Sequence, residues 1–129
     1  MDNRRRLAQL GHFLSLVLFW PGLALVIWGE LTPHPPAWTA HVWDKALHFV
    51  AYFGLSAMLT LLLGLKRLTL VALLGLVLLG GTLEILQGYT GRDPDPFDEI
   101  ANTIGATAGA LVALGFMLLT RDGSRKAPP

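Results

Sequence analysis

The segment EILQGYTGRDPDPFDEIANT (84–103) holds six of the nineteen charged residues of a chain whose flanks are Leu, Val, Ala, Gly and Phe. With residues 44–52 it gives three sets at helical spacing: Asp44, His48 and Tyr52 at i, i+4 and i+8, Glu84 and Gln87 at i and i+3, and Asp98 and Asn102 at i and i+4. Each set falls on one face of a helix. Lys45 adjoins the first, and Arg92 lies between the other two. The residue types suit acid–base chemistry. His48, oriented by Asp44 or Asp98, has the character of a general base, and Glu84 that of its acid partner. The catalytic candidates are therefore His48, Glu84 and Asp98. Asp44, Lys45, Tyr52, Gln87, Arg92 and Asn102 are candidates for binding a ligand, with the two cations suited to phosphate or carboxylate and the Arg able to bind in a fork. One histidine among dispersed carboxylates is no recognisable metal-ligand spacing, so neither a metal nor another cofactor is expected.

Composition indicates what must position these groups. The chain has 129 residues, 53% hydrophobic and 15% charged, and its mean hydropathy is +0.52. A soluble domain carries about 25% charged residues. Four apolar blocks, roughly 13–29, 46–64, 68–87 and 100–119, are each long enough to cross a hydrocarbon core as a helix. The expected fold is thus an all-α membrane protein, a bundle of four transmembrane helices forming one domain over 1–120, followed by a polar tail at 121–129. Pro21 should kink the first span. That span follows Arg4-Arg5-Arg6 and has the look of a signal peptide, but the best cleavage frame is Trp38 and Ala40, and Trp is too large for it. The chain has no cysteine, which excludes disulfides and thiolate metal sites. It shows no basic face for nucleic acid.

Basic residues are asymmetric. Arg4, Arg5, Arg6, Lys66, Arg67, Arg121, Arg125 and Lys126 lie on one side of the four spans, against Lys45 and Arg92 on the other. The positive-inside tendency then places both termini in the cytoplasm and the 31–43 and 88–99 connections outside. Asp93, Asp95 and Glu99 read as solvated loop charges on that outer side, where Glu30 also falls. Tyr89 and the four tryptophans read as interface anchors.

With this topology all three polar sets reach the same depth. A charge well inside a bilayer costs on the order of 2.5–3.5 kcal/mol on insertion scales, so such groups face the bundle interior or a water-filled cavity. His48, Glu84, Asp98 and Asn102 should therefore form one cluster. Gly105 and Gly109 form a GxxxG on the same side of the fourth span, and Gly80 lies one turn from Glu84. All three should admit a neighbouring backbone.

The matched stretches DKALHFVAYFGL (44–55) and EILQGYTGRDPDPFDEIANTIGATAG (84–109) resemble the VanZ-like family, named after a teicoplanin-resistance protein. The family pattern D-K-x-x-H-F-x-x-Y, E-x-x-Q, G-R and D-x-x-x-N-x-x-G falls on Asp44, Lys45, His48, Phe49, Tyr52, Glu84, Gln87, Gly91, Arg92, Asp98, Asn102 and Gly105. The acidic, Pro-containing DPDP insert departs from that pattern. The resemblance implies a multi-pass protein of the bacterial cytoplasmic (inner) membrane, active in the cell envelope and linked through its namesake to glycopeptide susceptibility.

Three functions fit the residues. One is a polar site, open to the outer leaflet, that binds the headgroup of a membrane lipid or a lipid-linked envelope molecule such as a glycopeptide precursor. Another is an intramembrane enzyme acting on such a headgroup. The third is a structural or interaction protein whose polar network only packs helices. DPDPFDE lacks the Gly and ligand spacing of a calcium loop. The inner halves of the spans carry too few polar residues for an ion path. The chain also lacks a Walker loop, a dinucleotide fingerprint and a nucleophilic serine motif.

Overall fold

The computed structural model describes residues 3–34, 37 and 43–121. Trp38, Ala40 and residues 122–129, on which the cleavage-frame and polar-tail expectations fall, lie outside the described residues. Four helices follow one another: α1 (Asn3–Leu31), α2 (Asp44–Leu63), α3 (Arg67–Thr90) and α4 (Pro96–Thr120). All four are long and apolar enough to cross a membrane.

Each helix extends past its apolar block into polar sequence. α1 begins ten residues before Phe13. A helix satisfies its own backbone in lipid and in the headgroup layer alike, and Arg is a good helix former, so hydropathy marks the span but not the helix end. α1 also continues unbroken through Pro21. Two turns fix the connections. Gly64 (φ 72°) ends α2, its N–H donating to the Thr60 carbonyl at 2.9 Å. Gly91 (φ 87°) closes α3 in the left-handed region that a Cβ disfavours. α4 starts on a cap: the Asp95 carboxylate accepts from the Phe97 N–H at 2.9 Å, and Pro96 occupies the first helical turn.

The bundle is built around α2 and α4, which pack most extensively on each other. Gly105 and Gly109 explain how. A Cβ at Gly105 would collide with the Phe49 carbonyl, and one at Gly109 with the Phe53 carbonyl and the Ser56 hydroxyl. Gly80 differs from expectation. What its missing Cβ admits is not backbone but side chains: Glu99 Oε2, Asn102 Nδ2 and the Tyr52 hydroxyl would lie 2.7, 2.9 and 3.0 Å from it.

Polarity is distributed inside out. Among the described residues ten polar or charged side chains are buried against seven apolar ones, while Leu70, Val71, Leu78 and Ile85 of α3 and many like them point outward. That is the arrangement expected where lipid replaces water as the solvent. Trp28 and Trp43 are exposed near helix ends, but Trp20 is exposed near the middle of α1, with its ring edge-on to Phe19, and is no end anchor.

Candidate functional site

The C-terminal ends of α1 and α3 meet the N-terminal ends of α2 and α4, and the polar residues gather there. Two helix N-termini bring partial positive charge to Asp44 and Asp98, which stand in their first turns. Two C-termini bring bare carbonyls, and Arg92 answers those of α1, donating from one guanidinium nitrogen to the Gly29 and Glu30 carbonyls at 3.1 and 3.3 Å. Its other terminal nitrogen lies 3.6 Å from Asp44 Oδ2.

His48 is the centre. Asn102 Oδ1 lies 3.0 Å from its Nδ1 and Glu30 Oε1 3.6 Å from the same nitrogen, with Asp98 Oδ2 3.8 Å from its Nε2. Lys45 Nζ bridges Asp98 Oδ1 at 3.1 Å and the Asp95 carboxylate. Glu84 Oε2 accepts from the Asp95 N–H at 2.9 Å. Tyr52, Gln87 and Asn102 are fully buried beside them.

Three roles differ from those read in the sequence. Asn102, rather than Asp44 or Asp98, orients His48, because α2 and α4 approach so closely at Gly105 that the amide reaches the ring. Lys45 and Arg92 are engaged with carboxylates and helix carbonyls of the chain itself. Asp95 and Glu99 are not merely solvated: Asp95 holds Lys45 and caps α4, and Glu99 Oε2 accepts from Asn102 Nδ2 at 3.1 Å. The Lys45 ammonium and the Phe97 N–H hold the Asp95 carboxyl below the usual carboxylate range.

Glu30 is the residue that sequence reading missed. It is 6% exposed, against His48 and near Tyr52. Its one signal was its place as the sole acid of α1, at the end of that helix's apolar stretch.

Several buried atoms at this end make no hydrogen bond of good geometry: both Glu30 carboxylate oxygens, the Tyr52 hydroxyl that faces them, Glu84 Oε1 and Gln87 Nε2. Native interiors leave few such atoms, because each costs about 1–3 kcal/mol. Most of this set accept hydrogen bonds and only the Gln87 amide nitrogen is purely a donor. The site therefore calls for a group that brings protons or positive charge.

The VanZ/LLP1 family profile matches residues 2–119, nearly the whole chain. The chain belongs to the VanZ/LLP1 family. No curated protein and no solved structure matches it. As a VanZ/LLP1 protein with four apolar helices it is a multi-pass membrane protein. The family's spaced polar motifs converge here at one end of the bundle, from α2, α3 and α4, with Glu30 of α1 completing the enclosure.

Proposed function

We propose that this VanZ/LLP1 protein binds the headgroup of an amphiphilic envelope molecule, a membrane lipid or a lipid-linked glycan or glycopeptide precursor, in the polar site between its four helices. The acyl part would remain in lipid beside the bundle. The observation that carries this reading is the set of unpartnered buried atoms on Glu30, Tyr52, Glu84 and Gln87. Because Lys45 and Arg92 are already engaged, hydroxyl or ammonium donors on the headgroup fit better than a bare phosphate. A role in glycopeptide susceptibility, teicoplanin included, would follow if the bound molecule is a cell-wall precursor.

Native mass spectrometry of the purified chain tests this. Wild type should carry a co-purifying amphiphile, and Glu84→Gln should lose it while thermal stability in detergent is unchanged. Polar contacts between membrane helices average only about 0.6 kcal/mol, so a merely structural Glu84 would tolerate the change with little loss of ligand. Retention of the amphiphile by Glu84→Gln would sink the proposal. Conversion of the bound molecule to product, abolished in His48→Ala, would favour an enzyme instead.

The site is expected to open to the outer leaflet of the bacterial inner membrane, with both termini in the cytoplasm, on the asymmetry of the basic residues. The chain has no cysteine, so a single Ser124→Cys reports directly. An impermeant thiol reagent should leave it unlabelled in intact cells, and labelling there would reverse the orientation.

A further inference from the structure

The proton on His48 is placed by a relay of side chains. Asn102 Nδ2 donates to Glu99 Oε2 at 3.1 Å, which turns its Oδ1 to His48 Nδ1 at 3.0 Å. An amide oxygen only accepts, so Nδ1 carries a proton, and in the neutral ring Nε2 keeps its lone pair. That lone pair faces Asp98 Oδ2, 3.8 Å away, and makes no hydrogen bond among the described residues. Both side chains are 4% exposed. Two buried acceptors face each other across a gap that Lys45 does not fill, since its Nζ bonds the other oxygen of the same carboxylate.

A third metal-ligating group lies beside them. A carboxylate oxygen of Asp44, one turn before His48, joins His48 and Asp98 so that one ligand atom from each lies within 4.8 Å of the other two. A separate observation points the same way. Glu84, 6% exposed and within electrostatic range of Asp98 and His48, has its Oε1 buried without a partner. Among the described residues, this end of the bundle gathers the carboxylates of Glu30, Asp44, Glu84, Asp95, Asp98 and Glu99 around two fixed cations, Lys45 and Arg92.

We propose that Asp44, His48 and Asp98 form a site for a divalent transition-metal ion of the Zn²⁺ or Mn²⁺ type, with His48 coordinating through Nε2. Imidazole with carboxylates suits these ions, whereas Mg²⁺ and Ca²⁺ take oxygen ligands. Metal-bound histidines give their other ring N–H to an oxygen acceptor, and Asn102 is that acceptor here. Bonds of about 2.0–2.2 Å set neighbouring ligand atoms roughly 3 Å apart, so Nε2 and Oδ2 need close by less than about 1 Å. The Asp44 side chain, 49% exposed, gives an entry from the membrane surface. The site stands independently of the headgroup reading, although positions left on the ion would be open to headgroup oxygens.

The full chain in detergent, stripped with a chelator, would be titrated with Co²⁺ and then with Zn²⁺ and Mn²⁺. Co²⁺ should bind one ion per chain, with a visible spectrum distinct from the aqueous ion, and Zn²⁺ should displace it. His48→Ala should abolish that spectrum. Asp44→Asn keeps the size of a half-exposed side chain, so it should fold and yet weaken binding at least about tenfold, in line with the sensitivity of metal sites to their shells. Asp93→Asn, an exposed acid nearby, should bind as wild type. A Co²⁺ spectrum that remains aqueous overturns the proposal. So does an affinity in folded Asp44→Asn equal to that of wild type, since the ion would then be held elsewhere.

Discussion

Two ends of the same bundle treat buried polar groups in opposite ways. At the end that holds the N-terminus of α1, Ser15, Thr60 and Thr69 are buried, and each hydroxyl donates to a nearby carbonyl, of Gly11, Ser56 and Gly64 respectively. These groups need nothing beyond their own helix or the adjoining turn. At the other end Glu30, Tyr52, Glu84 and Gln87 are equally buried and each leaves at least one polar atom without a partner. The sequence distance between the two kinds is as little as about two turns of α2, from Tyr52 to Thr60. Helix packing in lipid thus requires no open polar atoms, and those at the second end are what the headgroup proposal rests on.

The largest effect should come from the seam that the two ends share. Gly109→Val would drive a branched side chain into the Phe53 carbonyl and force α2 and α4 apart. Overpacking costs typically 1–3 kcal/mol and occasionally more, and this collision is with backbone, which cannot rotate away. A fall in the thermal midpoint in detergent, together with loss of any ligand, is expected. A variant as stable as wild type would show that the seam does not hold the site together.

Much of this arrangement is legible in the sequence, and what is not has physical reasons. Periodicity placed Asp44, His48 and Tyr52 on one face, and likewise Asp98 and Asn102, because a helix repeats every 3.6 residues whatever surrounds it. It does not give the rotation of one helix against another. That rotation, set by Gly105 and Gly109 on Phe49 and Phe53, decides that Asn102 and not an aspartate meets His48 Nδ1. Glu30 follows an apolar block and carries no spacing that marks it as part of a set, yet α1 continues through it and docking against α2 buries it. The grouping of Asp44, His48 and Asp98 shows no metal-ligand spacing for a related reason: Asp44 and His48 are one turn apart, but Asp98 comes from α4, fifty residues on from His48 in sequence.

An intermediate effect tests the contrast by sign. Tyr52→Phe removes a single buried oxygen that has no partner, with the ring unchanged. Stability in detergent should rise, by up to about 1 kcal/mol, because an unmet polar group is relieved. Thr60→Val also removes one hydroxyl from the same helix, but this one donates to the Ser56 carbonyl at 2.8 Å. It should lower stability by about 0.6 kcal/mol or less. Paired unfolding measurements that gave both changes the same sign would erase the distinction between the two ends.

The smallest effect lies at the edge of the site and depends on pH. Asp95 is the fully engaged counterpart of the open carboxylates: it receives Lys45 Nζ and the Phe97 N–H, while its own N–H donates to Glu84. Lys45 faces it from α2 and Glu84 from α3, with His48 and Asp98 farther into the cluster. With its carboxyl held below the usual carboxylate range in the folded protein, Asp95 binds a proton less readily folded than unfolded. Its contribution is therefore complete above the ordinary carboxylate pKa and disappears as the pH falls through the depressed folded value. Asp95→Asn isolates this charge, because Asn caps a helix about as well as Asp does. The thermal midpoint of wild type should exceed that of Asp95→Asn by a small margin at neutral pH, since a half-exposed ion pair is screened by solvent. The margin should close in acid and narrow with added salt. A gap that stayed constant from neutral pH down through the carboxylate range would mean that Asp95 acts as a cap alone and that its pairing with Lys45 contributes nothing to the folded state.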